Sequence, residues 1–444
     1  MDTPSPPPAV PPAVPPAAPA APAAPAGPAR RILYADADSM FVHAARLVGD
    51  PPGVATAELL IVGGRAESRG VVTSASYAAR AYGVRAGMPI AQAARLCPRA
   101  MFVPVPREMV GRKSREMAEV LRRWAPVVSA RSVDEFALDL SGTEGVYRGE
   151  PLAETARRIR ADVLARTGMP MSIGGGTNVL VAKLAVDLAK PRAGGPTPGV
   201  HVVAPGEEAA FLATLELAAI PGIGPKFQAR LRQVGLTTVR QALRYDRAAL
   251  VAMFGEGTGE WLHDRLRGID PTPVTDGPEA PKQVSREETF PRDLVEAADL
   301  ERELLRLAMR VSADLRADGL EARTVTVRLR DHDFTTRQAG RTLAETITSD
   351  RAVFLVAREL LAKLRADRWA PARLLGITLS GFEAPAAVQL ALFDEAADAP
   401  PVETARDRTL ASVLDTIAAR HGRRAIVRGT LIEPTDDSDS EPSA

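Results

Sequence analysis

Residues 32–41, ILYADADSMF, place Asp36 and Asp38 with one residue between them, directly after a run of apolar and aromatic side chains. A strand buried on at least one face does not carry two carboxylates unless something positive meets them. A second acidic pair, Asp134-Glu135, stands in a similar apolar frame, VSARSVDEFALDL, much further along the chain. Taken singly, each of these residues reads more simply as a strand-end carboxylate facing solvent. Taken together, they describe neighbouring central strands that present Asp36, Asp134 and Glu135 at one point. Such a cluster repels itself unless divalent cations neutralise it. Oxygen ligands without His or Cys suit Mg²⁺, which completes its shell with substrate phosphates. Two such ions clamp the attacking and leaving oxygens of an in-line phosphoryl transfer. The chemistry expected is therefore metal-assisted transfer from a triphosphate.

The elements that must position these groups follow from periodicity. Ordered structure is expected from about Arg31, with a strand over Ile32–Ala37. AELLIVGG and GVVTSASY read as further strands broken by glycine, and PIAQAARLC and REMVGRKSREMAEVLRRWA as helices. A helix is expected over Leu152–Thr167, and MSIGGGTN as a strand and glycine turn leading into the helix VLVAKLAVDLAK. Up to about residue 197 this describes one α+β layer domain with an inserted subdomain. Residues 211–268 read as short helices joined by glycine turns, and DPTPVTDGPEAPK as a linker. A last α+β unit occupies about 283–383, where Arg328 and Arg330 alternate with Val325, Val327 and Leu329 as on a half-buried strand. The tail beyond Phe382 contains QLALFDE and one amphipathic helix near 404–420, and it ends acidic.

Composition sets outer bounds. A chain of 444 residues suggests about three domains, and 45% apolar residues suffice for sizeable cores. The formal charge of +1 argues against a global field for nucleic acid, so any basic surface must be local. Cys97 is the only cysteine, which excludes an intrachain disulfide and argues against structural zinc. Residues 2–28 form a Pro/Ala tract without the pattern of a signal peptide, expected to be a disordered, partly polyproline-like spacer. No stretch reaches bilayer-spanning length, and the expected compartment is the cytoplasm.

YADADSMF, SYAARAYGVRAGMP, SVDE and VAKLAVDLAKP stand in the order and spacing of the Y-family, translesion DNA polymerases, and the resemblance runs from about Arg31 to Phe393. It implies an α+β multidomain, right-hand polymerase with a ferredoxin-like palm, small fingers, a helical thumb and an α+β little finger. The corresponding spans are a Pro/Ala-rich tail at 1–30, palm at 31–38 and 103–197, fingers at 39–102, and thumb at 198–272. A linker at 273–282, the little finger at 283–383 and a tail at 384–444 complete the chain.

The resemblance implies that Asp36, Asp134 and Glu135, with the Ala37 carbonyl, hold two Mg²⁺ ions. Asp38 matches a family aspartate that is not a principal ligand. Phe41 falls on the steric gate that excludes a ribose 2′-hydroxyl. Tyr77, Arg80 and Lys190 fall on residues that grip the incoming dNTP triphosphate, while Lys183 reads equally as a solvated lysine or a DNA contact. Gly222, Gly224 and Lys226, in IPGIGPKFQARLRQVGL, fall on a helix-hairpin-helix against a DNA phosphate, and Arg328 and Arg330 on the duplex backbone. QLALF, with Gln389, Leu390, Leu392 and Phe393, resembles the motif that engages the replication sliding clamp. The implied assembly is a monomer on primer–template DNA. Two departures stand out: Met40 replaces the family's first aromatic, and Ala45 a glutamate common after the gate. The rival readings are a catalytically inactive clamp-docking accessory, which should have lost carboxylates, and a nucleotide cyclase, which has no use for the hairpin, the last α+β unit or QLALF.

Overall fold

The strand Ile32–Ala37 forms where the apolar run places it and is buried along its whole length. It lies at the centre of a five-stranded sheet ordered Val127–Ala130, Glu135–Asp139, Ile32–Ala37, Met171–Gly176, Val200–Val202. Both faces of this strand are covered, so its apolar run is unbroken rather than alternating. Leu33, Ala35 and Ala37 pack into a core with the helices Arg107–Leu121 and Leu152–Thr167. Ile32 and Tyr34 meet Val179, Ala182 and Val186 of the helix Val179–Ala189 on the other face. By the two-residue period of a strand, Asp36 shares that second face.

The computed structural model describes residues 29–66, 68–191, 197–277, 280–382, 402–422 and 425–431. The chain divides into two compact units, 1–278 and 279–444.

Within the first unit the acidic segment takes a definite form, and one local reading is corrected. VSARSVDEFALDL is a hairpin, with Val128 opposite Leu138, and the acidic pair lies where the second strand begins. The Ser132 hydroxyl accepts the backbone N–H groups of Asp134 and Glu135 at 3.3 and 3.1 Å and thereby closes the turn. The glycines of MSIGGGTN belong to the strand Met171–Gly176, not to a turn. Helix Val179–Ala189 crosses so closely that a Cβ on Gly174 would lie 2.1 Å from the Ala182 carbonyl oxygen. The chain turns instead at Asn178, whose side chain caps that helix by accepting from Val181 N–H and also donates to Gly268 O at 2.7 Å.

Between the first strand and the helix Arg107–Leu121 sits a small three-stranded sheet of Ser74–Ala75, Leu60–Val62 and Met101–Val103. The first of these strands in the chain, Leu60–Val62, ends at Gly63 and Gly64, both at positive φ. Residues 208–266 carry short helices around Leu212, Ile220, Leu231, Leu250 and Leu262.

The second unit is an antiparallel sheet ordered Thr336–Ile347, Ala322–Asp331, Ala372–Phe382, Gln283–Leu294. Val325, Val327 and Leu329 are fully buried in its core with the helices Ala297–Ala317 and Asp350–Asp367. The amphipathic helix of the tail is Ala405–His421, and it docks on this unit. Arg316 makes a two-pronged bond to Asp415 at 2.6 and 2.8 Å, Arg408 pairs with Glu321 at 3.0 Å, and Ala411 is buried beneath the helix. The tract 1–28 lies outside the described residues.

Candidate active site

Sheet register brings the separated acidic motifs together. Asp36 lies directly opposite Glu135, and the Ala37 N–H donates to the Asp134 carbonyl oxygen at 2.9 Å. Three carboxylates thus meet at one end of the sheet, beside the end of helix Val179–Ala189. Each is answered by a partner of its own. Lys190 Nζ lies 2.7 Å from Asp36 Oδ2, and Lys183 Nζ lies 2.8 Å from Glu135 Oε1. The Ser132 hydroxyl donates to Asp134 Oδ1 at 2.5 Å. The Tyr34 hydroxyl donates to Glu135 Oε2 at 3.0 Å while accepting from Lys183 Nζ at 3.0 Å.

These contacts set the charge states. Burial pushes Asp36 up to about 6 against the pull of Lys190, with Glu135 and Asp134 adding to the rise. Burial works to lower Lys190, but Asp36 and Asp187 outweigh it and hold the ammonium at about 12. Burial also opposes ionisation of Glu135, yet Lys183 and Tyr34 win and its carboxyl falls below the usual range. The Tyr34 phenol is pushed by burial to about 12, so it stays a donor. Among the described residues no three His, Cys, Asp or Glu side chains form a ready-made metal site. The donor set is nonetheless all oxygen, with its charge met by the side chains of Lys183 and Lys190, which fits a hard divalent cation.

Asp38 turns aside from this cluster. It is buried and accepts from the Ser172 hydroxyl at 2.8 Å, which supports a structural role rather than ligation. Phe41, in the first turn of helix Met40–Val48, packs against two cores at once, that of the large sheet and that of the small one. Met40 and Ala45 are both buried on the same helix. Tyr77 and Arg80 lie on the helix Tyr77–Ala81, the guanidinium 4.9 Å from the tyrosine ring centre. Arg80 donates from Nε to Ala75 O at 3.0 Å and from Nη2 to Ser39 Oγ at 3.2 Å, tying this helix to the DADS turn.

Gly222 has φ of +97°, and a Cβ there would lie 2.6 Å from Trp261 Cζ2. Gly224 caps the helix Pro225–Gln233, and Lys226 is exposed in its first turn. In the second unit Arg328 pairs with Glu287 at 2.6 Å and Arg330 donates to Thr336 Oγ1 at 2.8 Å. Gln389, Leu390, Leu392 and Phe393 lie outside the described residues.

Residues 35–187 match the impB/mucB/samB family, residues 281–392 its C-terminal domain, and residues 218–270 the thumb domain of DNA polymerase-iota. DNA polymerase IV of Dehalococcoides mccartyi strain CBDB1 is 32% identical over 404 residues, 90% of this chain and 97% of that protein. DNA polymerase IV of Methanoculleus marisnigri is 37% identical over 357 residues, 80% and 95% of the two chains. The chain belongs to the Y-family of DNA polymerases. A Dbh–Dpo4 chimera of the Y-family shares the fold, with a TM-score of 0.67 over 79% of this chain and 99% of the chimera at 24% identity. The post-insertion binary complex of Dbh DNA polymerase is 25% identical, with a TM-score of 0.53 over 79% and 99% of the chains. The enzyme is accordingly a DNA-directed DNA polymerase of the translesion class.

Two side chains that contact Glu135 escaped sequence reasoning in part. Lys183 was open between solvent and DNA, and it pairs with Glu135. Tyr34 read only as strand core. Both were marked by spacing: Tyr34 lies two residues before Asp36 on one strand face, and Lys183 lies two helical turns before Lys190.

Proposed function

We propose that this Y-family enzyme is a low-fidelity, poorly processive translesion polymerase that adds dNTPs to a primer 3′-hydroxyl with two Mg²⁺ ions at Asp36, Asp134, Glu135 and the Ala37 carbonyl. The observation that carries this reading is the register of Asp36 against Glu135, each holding a lysine that a metal can replace. Bound there, the ions would lower the pKa of the attacking hydroxyl and offset charge on the pyrophosphate. Lys190, once exchanged from Asp36, is a donor for triphosphate oxygens beside Tyr77 and Arg80. The Phe41 ring, fixed between two cores, excludes a 2′-hydroxyl. Gly222, Gly224, Lys226, Arg328 and Arg330 contribute backbone contacts to primer–template DNA without reading sequence.

The domain spans proposed are palm 31–38 and 103–197, fingers 39–102, thumb 198–272 and little finger 283–383. The small fingers leave little protein to police the nascent pair, hence low fidelity. Gln389, Leu390, Leu392 and Phe393 dock the sliding clamp, and the enzyme works as a cytoplasmic monomer in DNA damage tolerance and mutagenesis. No helix among the described residues is long and apolar enough to cross a membrane. Primer extension by the full chain with Mg²⁺ and dNTPs tests the reading. Template-directed addition supports it, and its absence with retained DNA binding favours an inactive accessory.

A further inference from the structure

Glu135 is held at both carboxylate oxygens, and the two holders touch each other. Tyr34 O–H reaches Oε2 at 3.0 Å, Lys183 Nζ reaches Oε1 at 2.8 Å, and Lys183 Nζ donates to the Tyr34 oxygen at 3.0 Å. The ammonium also sits 4.5 Å from the centre of the Tyr34 ring, so a cation–π contact holds it over the tyrosine. The supporting frame is closely packed. Tyr34 is 2% exposed in the central strand, and Lys183 stands on a helix that Gly174 and Gly176 allow to lie against the neighbouring strand.

We infer that Tyr34 and Lys183 are positioning residues for Glu135, the tyrosine fixing the carboxylate while the lysine stands in for the cation that Oε1 will receive. The inference rests on the metal reading proposed above. A carboxylate with one oxygen tied to a fixed phenol has few orientations left, so the other oxygen is pre-aimed. An ammonium on that second oxygen prevents repulsion among Asp36, Asp134 and Glu135 before metal arrives, and it must leave for metal to bind. Because Lys183 keeps its bond to Tyr34 and its place over the ring, it has a site to retire to. Tyr34 and Lys183 thus act through Glu135 and need no contact with substrate.

The test is Mn²⁺ titration of the full chain, followed by electron paramagnetic resonance of the free ion, alongside steady-state kinetics. Tyr34→Phe keeps the buried ring and loses only the hydroxyl. It is expected to weaken Mn²⁺ binding and lower kcat by about tenfold each, with the dNTP KM and thermal midpoint little changed. Lys183→Met is expected to tighten Mn²⁺ binding several-fold by removing the competing cation, with the salt dependence of primer–template binding unchanged. Wild-type Mn²⁺ affinity and kcat in Tyr34→Phe overturn the inference. So does a Lys183→Met variant with unaltered Mn²⁺ affinity whose DNA-binding salt slope falls by about 1, which would make the lysine a phosphate contact. Glu135→Ala separates the two levels. If it keeps Mn²⁺ affinity and activity, the metal assignment itself fails; if it loses both while Tyr34→Phe loses neither, only the positioning role fails.

Discussion

The ammonium of Lys190 lies 2.7 Å from Oδ2 of Asp36 and 3.4 Å from Oδ1 of Asp187. Lys190 is the C-cap of helix Val179–Ala189, and Asp36 is near the end of the central strand, so the pair fastens helix to sheet at the place where chemistry is proposed. An almost fully buried carboxylate is costly in its charged form unless a counter-ion meets it. Lys190 supplies that counter-ion to Asp36.

Removing a proposed metal ligand should abolish chemistry and spare DNA affinity. Asp134→Ala or Glu135→Ala is expected to give no measurable nucleotide addition in Mg²⁺, with primer–template binding within a few-fold of wild type. The proposed phosphate contacts, which would carry the affinity, lie on other residues. Substantial extension by either variant would remove that residue from the metal site.

The gate is read by sugar discrimination. Phe41→Ala deletes the ring that both neighbouring cores hold in place. Its expected result is a fall in the ratio of kcat/KM for dNTP over rNTP. An unchanged ratio would reduce Phe41 to core packing.

Gly174→Ala tests the close approach of strand and helix. The added methyl would lie 2.1 Å from Ala182 O and 2.3 Å from Val186 N, both backbone atoms that cannot move without the helix. Overpacking of this kind costs about 1–3 kcal/mol or more, and the shift would carry Lys183 and Lys190 with it. Thermal unfolding and nucleotide addition should both decline. A variant as stable and active as wild type would show that the helix gives way freely.

Acid should loosen the helix Ala405–His421 from the second unit. Glu321 and Asp407 are held below their ordinary range first by Thr346 and by Thr404, which stay beside them when the helix leaves, and further by Arg408 and Arg351, the contributions that cross the contact and link docking to pH. Carboxyls depressed in the folded state add stability above their ordinary values and lose it as pH falls through the folded ones. Docking should therefore be full near pH 6 and weaken below about 4. Hydrogen exchange over 405–421, corrected for intrinsic rates, should show protection falling across that window; constant protection would contradict it.

The apolar anchors of QLALF should matter only with the clamp present. Leu392→Ala combined with Phe393→Ala is expected to leave distributive synthesis on short primers intact and remove stimulation by the loaded sliding clamp. Two anchors are worth about 2 to 4 kcal/mol of clamp affinity. Equal stimulation of variant and wild type would make the motif incidental.

Much of this protein was legible in residue type and short spacing. The central strand, the helices Leu152–Thr167 and Val179–Ala189, and the alternation of Val325, Val327 and Leu329 against Arg328 and Arg330 follow from the periods of strand and helix. The carboxylates were visible because burying charge is costly enough that an acidic pair in an apolar run needs a reason. The partner of each carboxylate was not visible, because ion pairing depends on distances between segments far apart in the chain. Only the sheet register sets Asp36 opposite Glu135, and only the helix crossing puts Lys183 rather than solvent against it. The glycine run misled for the same reason: a local reading of GGG is a turn, whereas here an entire helix rests on the strand. Ala405–His421 could be read as amphipathic, but its docking needed Arg316, Arg351 and Glu321 presented together on a folded surface. Propensity and pattern are local properties; the electrostatic balance of a buried site exists only once the chain has closed around it.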